Sequence, residues 1–247
     1  MSISATETAH ADDSARINKF LTNVFAYMGI GVLITAIVTM VISNSEGLME
    51  SLFSTYQYRN DEGEMTTGFK ASGIWWACTA AELAIVVYIS WFTNSMKGIT
   101  AWLAFMVYAA LNGVTIAPLI YAYTGASVAM IFFISASVFG IAAAYGLTTK
   151  KDLTSLGGFF IVALVSLLVA MVVNMLVGNG FIDMLISAIA VIVFTGLTAY
   201  DVQMLKELHR EQHGSSEQTL AVYGALRLYL DFINIFIHLL RLFGDND

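Results

Sequence analysis

The chain has 247 residues, of which 58% are hydrophobic and only 12% charged, with a mean hydropathy of +0.75. Soluble domains carry roughly 25% charged residues, so a water-soluble fold is excluded. The net charge of -7 comes from acids near the amino terminus, in one connecting segment and at the ends of the last hydrophobic stretch. There is no basic patch of the kind that binds nucleic acid. The single cysteine, Cys78, excludes intrachain disulfides and Cys-x-x-Cys metal clusters.

In chain order, residues 1–19, MSISATETAHADDSARINK, lack an apolar core with a small-residue cleavage site and read as a flexible cytoplasmic tail. A membrane span needs about 20 mostly apolar residues. Seven stretches qualify: 20–43, 74–92, 101–123, 127–147, 156–176, 181–203 and 219–243. The breaks between them, SNSEG, TNSMKG, YTGAS, TTKKDLTS, VGNG and KELHREQHGSSEQ, are turn-like or charged, with the last turn expected at HGSS around Gly214. Only the first connection, 44–73, is long, and LMESLF within it predicts a short surface helix. The expectation is an all-α membrane protein of one seven-helix domain, 20–243, followed by a tail at 244–247.

Basic residues are retained on the cytoplasmic side of a membrane. An inside amino terminus puts Arg16, Lys19, Lys97, Lys150, Lys151, Lys206 and Arg210 inside and only Arg59 and Lys70 outside. The seventh stretch is the least apolar, and hydropathy leaves open whether it crosses fully or re-enters. The short loops and lack of a cleavable signal fit a bacterial inner membrane.

An Asp, Lys or Arg at the centre of a span costs about 2.5–3.5 kcal/mol on insertion scales, so each needs a partner, a watery cavity or a purpose. Those present are Glu82 in span 2, Asp201 in span 6, and Arg227, Asp231 and Arg241 in span 7, with His238 beside them. In span 7, Arg227, Asp231, Asn234, His238 and Arg241 recur at intervals of three and four, which places them on one helical face. Such a stripe turns into a bundle or a pore, so span 7 is expected as the central element.

Asp201 and Asp231 flank the last turn at distances that differ by about 6 Å of helical rise, so they can face each other. Two carboxylates in a poorly solvated site do not both ionise cheaply, and a proton shared between them would hold the helices together. Ionised, they would suit a divalent cation such as calcium, which prefers several oxygen ligands. Glu82 and Arg241 are expected at similar depth as an outer latch. The blander reading of Arg241 is a side chain that snorkels to the headgroups. His238 reads as a proton-relay member or, more simply, a hydrogen-bonded core histidine. Asn112, Asn174 and Asn234 read as interhelical glue, and Gly113 with Pro118 as a kink or close contact.

The segments TAYDVQML at 198–205, LYLDFINIFIHLLRLFG at 228–244 and NGVTIAPLIYAYTG at 112–125 resemble the Bax inhibitor-1, or transmembrane Bax inhibitor motif, family across nearly the whole chain. The resemblance implies a helix 7 wrapped by six others and a pH-sensitive calcium leak governed by a di-aspartyl pair, which falls on Asp201 and Asp231. It places the outer acid and base on Glu82 and Arg241. Some bacterial members carry an arginine near the inner end of helix 2 that contacts the pair. Here SWFTNSM offers Thr93 and no base, so Arg227 is the substitute.

The expected function is therefore a calcium leak with no enzymatic activity and no tightly bound cofactor, calcium and protons being the transported or sensed ions. One alternative is a non-transport regulator that binds a membrane protease. A minor one is an intramembrane aspartyl protease, suggested by Tyr200-Asp201 but lacking Gly-x-Gly-Asp at the second aspartate.

Overall fold

The computed structural model describes residues 3–59, 63, 65–93, 95–211 and 216–245. Its elements are α1 (Ile3–Ser43), α2 (Glu46–Leu52), β1 (Phe53–Arg59), β2 (Met65–Ala71), α3 (Gly73–Phe92), α4 (Gly98–Tyr121), α5 (Gly125–Thr148), α6 (Gly157–Val177), α7 (Gly180–Arg210) and α8 (Glu217–Phe243). Seven of the eight α-helices, all but α2, are long and apolar enough to cross a membrane.

Local chemistry sets the helix ends. Ser72, Thr124, Asn179 and Ser216 each accept a hydrogen bond from a backbone N–H three residues on, which satisfies donors left free at a helix start. Gly178 ends α6 at φ 71°, a left-handed conformation that suits glycine. The segment expected as a flexible tail continues α1 back to Ile3, since neither glycine nor proline interrupts it. Likewise α7 runs to Arg210 instead of stopping near 203. Lys206 and Glu207 are good helix formers, and Leu205 is buried while His209 stacks on Phe20 with ring centroids 4.4 Å apart. The turn expected at HGSS lies almost wholly outside the described residues, as do Asn246 and Asp247 of the carboxyl-terminal tail.

The long connection holds the predicted short helix and, unexpectedly, an antiparallel hairpin with Phe53 opposite Ala71 and Arg59 opposite Met65. The strands FSTYQYR and MTTGFKA are rich in β-branched and aromatic residues. Met49, Leu52 and Phe53 bury against Ile42 of α1 and Ala117 of α4, so the hairpin marks one side of the bundle.

In α8, 72% of the most apolar stretch is buried, against 11–44% in the other six spans, which makes it the central helix. It packs on α1, α3, α4, α5 and α7, whereas α6 packs chiefly on α7, at the periphery. Its 27 residues extend about 40 Å without a break, enough for a full crossing of a core about 30 Å thick. Beyond it, the Asp245 carbonyl accepts from the Thr124 N–H at 3.0 Å and the Asp245 N–H donates to Ser127 at 2.9 Å.

Glycines allow the closest approaches, as apolar helices in lipid require. A Cβ on Gly113 would meet the Thr35 carbonyl and Val38 of α1, and Thr39 donates to the Gly113 carbonyl at 2.9 Å. Gly113 is thus a helix contact, and α4 continues through Pro118.

Candidate functional site

The antiparallel hairpin of α7 and α8 brings the polar stripe of α8 onto a matching row on α7. Moving away from the turn, Arg227 pairs with Asp201, Asp231 lies beside Thr198, His238 meets Ser187 and Arg241 meets Asp183. Each residue follows its predecessor by whole helical turns, so two complementary faces zip along the hairpin.

Asp201 is 3% and Asp231 4% exposed. Arg227 grips Asp201 with both arms of its guanidinium, Nε to Oδ2 at 2.9 Å and Nη2 to Oδ1 at 2.6 Å. Its third nitrogen donates to the Tyr223 hydroxyl at 3.0 Å. This two-pronged, charge-assisted geometry is the strongest available to an arginine and a carboxylate. Asp231 lies within electrostatic reach of Asp201 and Arg227, yet its buried Oδ2 has no hydrogen-bond partner. One guanidinium thus serves two carboxylates, and the second needs a proton or a cation for balance. Among the described residues no cluster of three metal-ligating side chains exists. Arg227 uses one lone pair of each Asp201 oxygen, so a cation at the pair would compete with the guanidinium for Asp201.

The expected latch between Glu82 and Arg241 does not form. Glu82 lies about 13 Å inside α3, whereas Arg241 is about 3 Å from the end of α8, so the two are at different depths. Glu82 instead accepts from Thr115 at 2.8 Å and Asn112 at 3.4 Å, both on α4. Arg241 donates to Asp183 at 3.2 Å, with the two side chains 38% and 44% exposed. Arg241→Ala should therefore change stability by no more than about 1 kcal/mol, measured by thermal unfolding in detergent.

Asn112 is the one predicted asparagine that bonds between helices. Asn234 donates to the Leu230 carbonyl of its own helix at 2.8 Å, and Asn174 Oδ1 is buried without a partner. His238 is a core histidine, with Nδ1 3.1 Å from Ser187 Oγ and its ring stacked near Phe194. Thr93 is spent on the Ile89 carbonyl of its own helix.

Thr35 and Tyr229, which sequence reasoning passed over, join Asn112 and Glu82 in a buried chain on the other face of α8. Thr35 donates to the Ala109 carbonyl at 2.8 Å and lies 2.6 Å from the Tyr229 hydroxyl, which donates to Asn112 Oδ1 at 2.9 Å. This chain ties α1, α8, α4 and α3 together. The available signal was Tyr229 directly after the apolar Leu228, two residues before Asp231, at a helix position that cannot face α7 with the stripe.

Residues 17–247 match the sequence model of the family described as inhibitor of apoptosis-promoting Bax1. The chain belongs to the Bax inhibitor-1 family. It is 34% identical over 234 residues to the inner membrane protein YbhL of Escherichia coli K12, covering 94% of this chain and 93% of that one. A Deinococcus radiodurans protein is 35% identical over 94% of this chain and 93% of its own length. A membrane protein of Streptococcus pyogenes serotype M3 is 34% identical over 94% of both. Membership agrees with the seven spans, and the residues that carried the resemblance lie on α4, α7 and α8. Within this family member, Arg227 stands on the aspartate where span 2 offers no base.

Proposed function

We propose that this Bax inhibitor-1 family protein is a pH-sensitive calcium leak pathway of a bacterial inner membrane, with its amino terminus cytoplasmic and Asp201 and Asp231 as its gate. The observation that carries the reading is the buried site in which a single arginine, bonded to Asp201, faces two carboxylates and one Asp231 oxygen lacks a partner. Such a charge is expensive in a poorly solvated site, and a merely structural contact would be served better by a neutral residue. With a proton held between them, the two carboxylates and Arg227 sum to zero charge, and α7 and α8 stay closed. Losing that proton leaves an excess negative charge, which favours separation of the helices and entry of a hydrated cation. An aspartyl protease reading fits less well, since its two carboxylates must share a water that Arg227 here displaces from Asp201.

The test is calcium-dye flux in proteoliposomes scanned between about pH 6 and 8. The wild type should leak in a pH-dependent manner, and Asp201→Asn and Asp231→Asn should each flatten the dependence. Flux equal to that of protein-free vesicles at every pH overturns the proposal.

A further inference from the structure

The wall around α8 has a gap between α1 and α5. α1 and α5 meet edge to face at Phe25 and Phe139, with ring centroids 6.5 Å apart. Towards the hairpin side they part, because Thr35 and Thr39 tie α1 to α4 while α5 packs on α7 and α8. Between them opens a crevice of about 740 Å³ with Ala36 and Ala129 on its walls and Phe232, Ile233 and Phe236 of α8 as its floor. We infer that this crevice binds an acyl chain of a membrane phospholipid from the leaflet on the hairpin side.

Three observations select that occupant. First, the deeper polar groups of the lining are already satisfied, Thr35 by the Ala109 carbonyl and Thr39 by the Gly113 carbonyl. Water, which needs two to four polar partners in a cavity, finds little to hold it. Second, the crevice is bounded by helices long and apolar enough to lie within a bilayer, where the surrounding medium is hydrocarbon. Leaving it empty would forfeit the dispersion contacts of every lining side chain. Third, below its mouth the crevice is lined by Val, Ile, Ala, Met and Phe side chains such as Val32, Ile116, Val128 and Phe132, an apolar surface that a flexible hydrocarbon chain can follow and cover.

The mouth has the polarity a headgroup region requires. It is lined by Ser43, Asn44, Tyr121 and Tyr123, and tyrosines favour the membrane interface because the ring is apolar and the hydroxyl polar. The lipid chain would thus complete the wall that α1 and α5 leave open and lie directly against the helix that carries Asp231.

The test uses the full chain in vesicles of a phospholipid bearing a diazirine at mid-chain, with photo-adducts mapped by mass spectrometry. Adducts are expected on Phe232, Ile233 and Phe236, which are only 4–6% exposed, in addition to outward residues such as Leu176. Ala129→Trp, and Ala36→Phe from the opposite wall, should abolish the α8 adducts while leaving that on Leu176. Adducts confined to outward residues in the wild type overturn the inference, as do α8 adducts that persist in both filled variants. The readout is independent of ion flux, so it stands or falls apart from the proposed leak.

Discussion

Arg227→Met should destabilise the protein by about 3 kcal/mol, the low end of the 3–5 kcal/mol measured when one partner of a buried pair is removed. The low end applies because the Arg227 side chain is 31% exposed while that of Asp201 is 4% exposed. The cost falls on Asp201, which loses both charge-assisted bonds and stays in a site that water barely reaches. Two further results would identify this cause. Arg227→Met combined with Asp201→Asn should recover most of the loss, since no orphan charge remains. The gap between wild type and Arg227→Met should also narrow as pH falls, because protonating Asp201 removes the same orphan charge. Unfolding in detergent at several pH values measures both. A pH-independent loss that the double variant does not relieve would mean that Arg227 acts through packing alone.

The same logic separates the two aspartates. Asp201 is held by a partner, whereas Asp231 keeps an unpaired buried oxygen and contributes little that a neutral residue would not. A group retained at such a cost is the pattern of functional sites that trade stability for activity.

The spans and the stripe of α8 were legible because each rests on a local property. Twenty apolar residues define a crossing wherever they pack, and a three-four repeat fixes a face without knowledge of its neighbour. The central position of α8 followed, since a helix with an Arg, Asn, His and Asp face has nowhere else to put it. The partners across helices were less legible. Matching Glu82 with Arg241 required both a common depth and a shared neighbour, and chain order supplied neither. The α7–α8 pairs were more accessible because a single turn sets their register, and Arg227 was read as the substitute base one turn before Asp231. The hairpin escaped notice because its strands lie in a segment read as a loop, where period-two alternation is weak.

Gly146→Val should be among the most damaging small substitutions in the bundle, a position that the sequence reading did not single out. Its place is set by α5 crossing α7 so closely that a Cβ on Gly146 would strike the Ala199 carbonyl and Cα. A flexible side chain could turn aside, but a backbone cannot, so α5 and α7 must separate. Overpacking typically costs about 1–3 kcal/mol, and the upper part of that range is expected where the obstacle is main chain. The effect also reaches the candidate site, because Ala199 precedes Asp201 by two residues on the same helix. Moving α7 outward draws Asp201 from Arg227, so Gly146→Val should both unfold at lower temperature and alter the pH profile of calcium flux. Gly140, on the same helix with nothing within 4 Å of a built Cβ, supplies the control. Gly140→Ala should leave both measurements unchanged, and equal damage at the two positions would show that loss of glycine, not the α5–α7 crossing, is responsible.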